Sequence, residues 1–247
     1  ARVWSVVHVP SPEAEDARHL HRELQTLKTD RTRLTNRIEG LLAAQGLSVG
    51  SLGPGFVDAL GELQLWDGSA LPPQLRERLE REWQHRNRID ERIRLIERLQ
   101  TEQLADPSDP ALRMVRQLMS LKGIGLHSAW LFTFELFAWR RIQNRKQLAA
   151  LCGLAPTPYS SGDETRDLGI SKAGNTAVRA MAVQIAWGWI RHQPESALTL
   201  WFNRRFAHGG RRMRAIGIVA LARRLLIELW RFVETGALPE GATPSAT

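Results

Sequence analysis

The densest gathering of reactive and phosphate-binding residue types lies between Pro158 and Arg179. Ser160 and Ser161 stand in Pro158-Tyr159-Ser160-Ser161-Gly162, which reads as a loop. Arg166 and Gly169 lead from it to Ile170-Ser171-Lys172-Ala173-Gly174-Asn175 and Arg179. Ser171 has the character of a helix N-cap. That would set Lys172, Asn175 and Arg179 at i, i+3 and i+7, on one face of the new helix. A cation, an amide and a guanidinium near a helix N-terminus suit a phosphodiester, through charge-assisted hydrogen bonds and the helix dipole. A serine before glycine is otherwise the mark of a turn, and no neighbouring side chain offers an obvious base. From these residues alone, Ser160, Ser161 and a plain turn all stay open.

A second candidate is Leu118-Met119-Ser120-Leu121-Lys122-Gly123-Ile124-Gly125, followed by Ala129 and Leu131. This pattern predicts a helix-hairpin-helix, in which Gly123 and Gly125 let backbone N–H groups approach a phosphate beside Lys122. Such contacts position a nucleic acid without reading its sequence. The bland alternative is a helical turn within a core. The third candidate runs through Arg204, Arg205, Gly209, Gly210, Arg211, Arg212 and Arg214 to Arg223, Arg224 and Arg231. Ile216, Val219, Leu225, Leu226, Leu229 and Phe232 recur there at helical spacing, so one side is core. The arginines are then either solvated or in contact with phosphate. Of the nine tryptophans, among them Trp187, Trp189, Trp201 and Trp230, most belong in a core. A few are candidates to stack on unpaired bases.

The net charge of +8 is unevenly placed, with residues 140–231 carrying +11 and the remainder −3. Segregation of this kind is the footprint of a polyanion binder, against the alternative of a merely solvated surface. The single cysteine, Cys152, excludes an internal disulfide and a cysteine-rich zinc site. No apolar run reaches the ~18 residues of a membrane span, and residues 1–10 lack a signal-peptide pattern. A cytoplasmic protein with no membrane partner is expected.

The elements that must position these residues are almost all helical, so the expected fold class is mainly all-α. Val3, Trp4, Val6, Val7 and Val9 make residues 1–10 a strand apolar on both faces, as in the middle of a sheet. No partner strand follows, so its sheet is expected upstream. Ser11-Pro12-Glu13 starts a helix. Residues 17, 20, 24, 27, 31, 34, 38 and 41 then keep a 3-4 spacing and are all Ala, Leu or Ile except Arg31, a coiled-coil seam. A second long helix, from about Pro73 to Leu104, carries Leu75, Leu79, Ile89, Ile93 and Ile96. The arm of residues 11–105 reads either as an antiparallel hairpin or as a dimerising coiled coil that makes a homo-oligomer. Asp106-Pro107-Ser108-Asp109-Pro110 is a boundary. Shorter helices follow over roughly 111–121, 126–137, 144–152, 172–193, 195–207 and 211–235, one helical domain spanning 111–236. The tail, 237–247, is expected to fray.

Taken in order, Val6-Val7-His8-Val9-Pro10-Ser11-Pro12-Glu13-Ala14-Glu15-Asp16, Lys122-Gly123-Ile124-Gly125, Tyr159-Ser160-Ser161-Gly162, Gly169-Ile170-Ser171-Lys172-Ala173-Gly174-Asn175 and Gln193-Pro194-Glu195-Ser196-Ala197-Leu198 resemble transposases of the insertion sequence 110 family. The resemblance covers nearly the whole chain. It implies an RNase H-like domain with four acidic metal ligands, a coiled-coil arm, and a helical transposase domain carrying a serine. It also implies a bridge RNA that pairs with donor and target DNA. The serine would attack a phosphodiester to give a covalent protein–DNA intermediate, with magnesium held by acids from another subunit. The family's serine falls in the Tyr-X-Ser-Gly element, here Ser161. Around it, Lys122, Gly123, Gly125, Arg166, Lys172, Asn175, Arg179, Arg211, Arg212 and Arg214 are the candidate nucleic-acid contacts. The four acids would lie upstream of Val3. No metal ligand or cofactor is therefore expected within these residues, and the chain by itself is expected not to catalyse. The alternative is a non-catalytic helix-hairpin-helix module that binds DNA or structured RNA.

Overall fold

The computed structural model describes the backbone of residues 9–161 and 164–245, and the side chains of these apart from residues 158–168. The strand expected over residues 1–10 falls, but for its last two positions, outside the described residues. Among the described residues the fold is mainly helical, as expected. It divides into two compact units, one of His19–Ala105 and one of Ala1–Arg18 with Asp106–Thr247.

In the first unit, α1 (Pro12–Ala43), α2 (Phe56–Glu62) and α3 (Pro73–Leu104) form a hairpin with a folded connector. Ser11 starts α1, its hydroxyl accepting from the Ala14 N–H at 3.2 Å. Gly46, at φ 74°, lets the Leu47 N–H turn back to the Leu42 carbonyl and end the helix. Leu24, Leu27 and Leu34 of α1 bury themselves against Ile89, Ile93 and Ile96 of α3, each burial stabilising by roughly 2 kcal/mol. Ion pairs flank the seam: Arg92–Glu23 at 2.7 Å, Lys28–Glu97 at 2.9 Å and Arg37–Glu82 at 2.9 Å. Arg31, the polar break in the heptads, meets Asp90 at 3.4 Å. The pairing is antiparallel, so of the hairpin and the dimerising arm that the seam left open, the apolar residues pack here as the hairpin. The seam's first position differs, because Ala17 is exposed while Arg18 and His21 are buried. Beyond it, Ile38, Leu42, Phe56, Leu60 and Leu79 form a second apolar cluster that folds the connector down.

The second unit comprises α4 (Pro110–Met119), α5 (Leu126–Phe132), α6 (Arg145–Leu151), β1 (Pro156–Ser161), β2 (Glu164–Ile170), α7 (Thr176–His192), α8 (Ala197–Phe206) and α9 (Arg211–Thr235). Asp109 caps α4 through the Ala111 and Leu112 N–H groups, and Ser196 caps α8 through that of Thr199. Helix α9 runs through the core against α4, α6, α7 and α8. Gly217 is required where α9 meets α8, since a Cβ there would stand 2.4 Å from the Phe206 ring. No described helix is long and apolar enough to cross a membrane.

Four local expectations are corrected. The Pro158–Gly162 loop and the absence of a further strand give way to an antiparallel hairpin of β1 and β2. Its register shifts between Pro156 and Pro158, where proline cannot donate to the ladder. Helix α7 starts at Thr176, capped by the Asn175 side chain on the Val178 N–H at 3.1 Å, not by Ser171. The helix after Gly125 is α-helical only to Phe132 and widens into a π turn over Thr133–Phe137. The tail does not fray over Glu240–Ser245. Thr243 bonds to the Lys122 N–H, Ser245 to the Ser120 carbonyl, and Glu240 to the Ala197 N–H.

Candidate nucleic-acid interface

The Ser171–Arg179 turn is built on close backbone approach. Leu151 O accepts from the Asn175 N–H at 2.9 Å and Gly153 O from the Lys172 N–H at 3.1 Å. A Cβ on Gly174 would lie 2.5 Å from Leu151 O, and φ 138° there is open to glycine. Lys172 itself sits at φ 55°, in the left-handed region. Arg179 reaches back over the crossing, its Nη1 donating to Lys172 O at 3.0 Å and Cys152 O at 3.4 Å. Its Nη2 donates to Thr176 Oγ1 at 3.3 Å.

Asn175 also donates from Nδ2 to Glu135 Oε2 at 3.0 Å. Glu135 is buried in the π turn, with the buried Arg18 guanidinium 3.7 Å away. Arg18 and Arg140 both stack on the Trp139 ring, at 4.7 and 4.1 Å from its centroid. Burial, and then the positive charge of Arg18, lower the Arg140 pKa. Glu135, Arg18 and Trp139 were not singled out in the sequence. The one available signal was an acid inside the apolar run from Ala129 to Ala138. Burial pushes the Cys152 thiol up to about 12, so it is no nucleophile at neutral pH.

Lys172, Asn175 and Arg179 are therefore together, but by a folded turn and not by a common helix face. Asn175 and Arg179 spend their polar groups on the turn, while Lys172 is exposed to solvent. Ser161 pairs with Glu164 at the tip of the hairpin, and Pro156 with Ile170 at its base. At about 3.3 Å per residue, the Ser161 backbone is about 17 Å along the strand from the base, and so from the Lys172 turn. Arg166 pairs with Tyr159 in β2; the side chains of Ser161 and Arg166 lie outside the described residues.

Between α4 and α5, Gly123 takes φ 97° and packs against His192, whose Cβ would be 3.2 Å from an added methyl. Gly125 is the N-cap residue of α5. The Lys122 amide donates to Thr243 O at 3.2 Å and its carbonyl accepts from Gln193 Nε2 at 2.8 Å. That amide is thus already paired within the protein, and the exposed Lys122 side chain is what the turn offers to solvent.

Arg211, Arg212 and Arg214 are exposed on the first turn of α9. Arg204 and Arg205 are exposed at the end of α8, and Arg224 lies over the Trp201 ring at 3.9 Å. Arg145, Arg224 and Arg231 share a cleft of about 180 Å³ with Leu198, Ile227 and Glu228. Among the described residues no three His, Cys, Asp or Glu side chains gather to hold a metal ion. The magnesium implied by the resemblance does not fit these residues and would need ligands from elsewhere.

Comparison with known proteins agrees with this part of the chain. Residues 115–200 match the family described as "Transposase IS116/IS110/IS902 family". A transposase-named protein of Sinorhizobium fredii, y4rJ, is 41% identical over an alignment of 253 positions that covers 98% of this chain and 63% of that protein. The transposase for insertion sequence element IS1328 of Yersinia enterocolitica is 30% identical, over 73% of this chain and 52% of the relative. That for insertion sequence element IS1111A of Coxiella burnetii is 27% identical, over 73% and 48%. The chain thus spans between about half and two thirds of the length of these relatives. The matched region covers the Lys122 turn, the β1–β2 hairpin and the Asn175 cap, so residues 115–200 carry the transposase domain of the IS116/IS110/IS902 family.

Proposed function

We propose that this chain binds DNA through its second unit and takes part in DNA transposition, with Ser161 as the nucleophile of strand exchange. The observation that carries the binding is the exposed arginine set on α8 and α9, lying in a region of net charge +11. Guanidinium groups pair with phosphate through two parallel hydrogen bonds, so exposed, unspent arginines are the chain's means of holding a polyanion. Lys122 and Lys172 add point charges on two ordered turns. Asn175 and Arg179 act one step back, by fixing the turn that presents Lys172. The helix-hairpin-helix reading rests on α4, the Gly123 turn and α5, with the Lys122 side chain as the phosphate contact.

Ser161 at a hairpin tip is suited to enter a site completed by other groups, and no three metal-binding side chains gather among the described residues. In the reaction, Oγ bonds to phosphorus while a sugar oxygen leaves, conserving the phosphodiester for the second transfer. A guide RNA that pairs with donor and target DNA, association with further copies, and a place beside the bacterial chromosome belong to this reading. It draws them from the family resemblance. In a complete transposase containing this chain, Ser161→Ala should abolish strand exchange and the covalent adduct. DNA affinity should stay within about twofold, because a hydroxyl adds little to a charge-driven term. Recombination at near-normal rate in Ser161→Ala would remove the serine from the mechanism.

A further inference from the structure

Trp187 is a large aromatic on α7 that the core does not claim: it remains 45% exposed. It borders a cleft of about 480 Å³ whose other walls are Gly209, Arg211, Arg214 and Ala215. Exposed Met213 and Ile216 belong to the same turns of α9. Gly209 keeps the floor close: an added Cβ would stand 2.6 Å from Met213, so that wall is bare backbone. A flat indole, an apolar floor and two guanidinium groups match one ligand fragment well, a planar ring joined to a phosphate. No carboxylate, amide or hydroxyl side chain lines the cleft. Its hydrogen-bonding side chains, the two guanidinium groups and the indole N–H, are donors only, so it offers no side-chain acceptor to a base amino group or to the proton of a ribose 2′-hydroxyl.

We infer that the Trp187–Arg211–Arg214 cleft holds a single unpaired nucleotide of DNA, its base stacked on the indole and its phosphate on the arginines. The inference rests on the nucleic-acid binding proposed above and adds to it a preference for strand positions where a base is free to leave the helix. Stacking on an aromatic face tolerates every base, so the preference is for structure and not for sequence. Paired DNA still binds the surrounding arginines, but leaves the indole unused.

The test uses the full chain and two DNA duplexes that differ by one extra, unpaired 2-aminopurine. The wild-type chain should bind the bulged duplex more tightly, and the probe's fluorescence should fall on binding as the base stacks. Trp187→Leu, which keeps an apolar side chain but no π face, should lose the quenching and weaken bulge binding by roughly 5- to 100-fold. Trp187→Phe should retain most of both. Affinity for the fully paired duplex should stay within twofold in all three proteins, which also shows that the variants are folded. Equal loss on both duplexes, unchanged quenching in Trp187→Leu, or a stronger response to an RNA version of the bulge would overturn the inference. Absence of salt-sensitive binding of paired duplex by the wild-type chain would instead strike the proposed function.

Discussion

The tail's attachment can be tested at one side chain. Gln193 is 1% exposed at the end of α7, and all of its amide is used. Nε2 donates to Lys122 O and Thr243 O, each at 2.8 Å. Oε1 accepts from the Thr243 N–H at 2.8 Å and from Thr243 Oγ1 at 2.9 Å. Gln193→Ala deletes four hydrogen bonds and takes away the partner of the Lys122 carbonyl and of the Thr243 N–H, while Thr243 O keeps the Lys122 N–H. At roughly 1 kcal/mol net per bond, reduced because all four share one side chain, the loss should be about 2–4 kcal/mol. For a unit of this size that is a fall of roughly 6–12 °C in Tm. Calorimetry gives the magnitude, and amide exchange gives the mechanism. The Lys122 and Thr243 N–H groups should lose protection together, before α9 does, because both lie on the strap that Gln193 ties down. A Tm within about one degree of the wild type, or exchange at Lys122 unchanged, would refute the claim that this amide docks the tail onto the α4–α5 turn.

Two further perturbations follow from the same physics. Glu135→Gln keeps an acceptor for Asn175 but leaves Arg18 buried with less compensation, so the urea midpoint should fall by the equivalent of roughly 2–4 kcal/mol; an unchanged midpoint would show that Glu15 and Trp139 hold Arg18 unaided. Leu34→Asp places a charge inside the α1–α3 seam, where Leu34 is 4% exposed. It should melt helix in the His19–Ala105 unit, seen by far-ultraviolet circular dichroism; a variant with full helix content and only a lower assembly mass would return the seam to an intermolecular role.

The helices were legible where local signals sit at their ends. Ser11-Pro12, Asp109-Pro110, the Gly209-Gly210 pair and Gly236 mark boundaries that the structure keeps to within a residue or two. The hairpin was not legible, because Pro156, Pro158, Gly162 and Asp163 all speak for a loop and only the cross-strand partner makes β1 a strand. Ser171, which the sequence marks as the cap of α7, and Asn175, which it places on the helix face, are both of capping residue type. The choice between them turns on φ 138° at Gly174 and on the reach of Asn175 to Glu135, neither of which is local. Heptad spacing located the seam in α1 but could not name what covers it. The tail's Pro/Gly/Ala composition is that of a disordered end, and it is the distant Gln193 that orders it. Within the candidate interface, sequence located the arginines correctly as a group. It could not separate those spent on the fold, such as Arg179, from those left free on α9, such as Arg212.

The central claim is that exposed arginines at the start of α9 hold phosphates, and the salt dependence of DNA binding tests it most directly. Affinity for a short duplex should be measured between about 50 and 200 mM salt for the wild-type chain and for the Arg211→Ala, Arg212→Ala, Arg214→Ala triple variant. Each phosphate contact contributes about 0.9 to the slope of log K against log salt on duplex DNA. The account predicts a steep, linear wild-type response and a slope smaller by about 2–3 in the triple variant, with the melting temperature unchanged because none of the three side chains is buried. A wild-type slope near zero, or identical slopes for the two proteins, would contradict it.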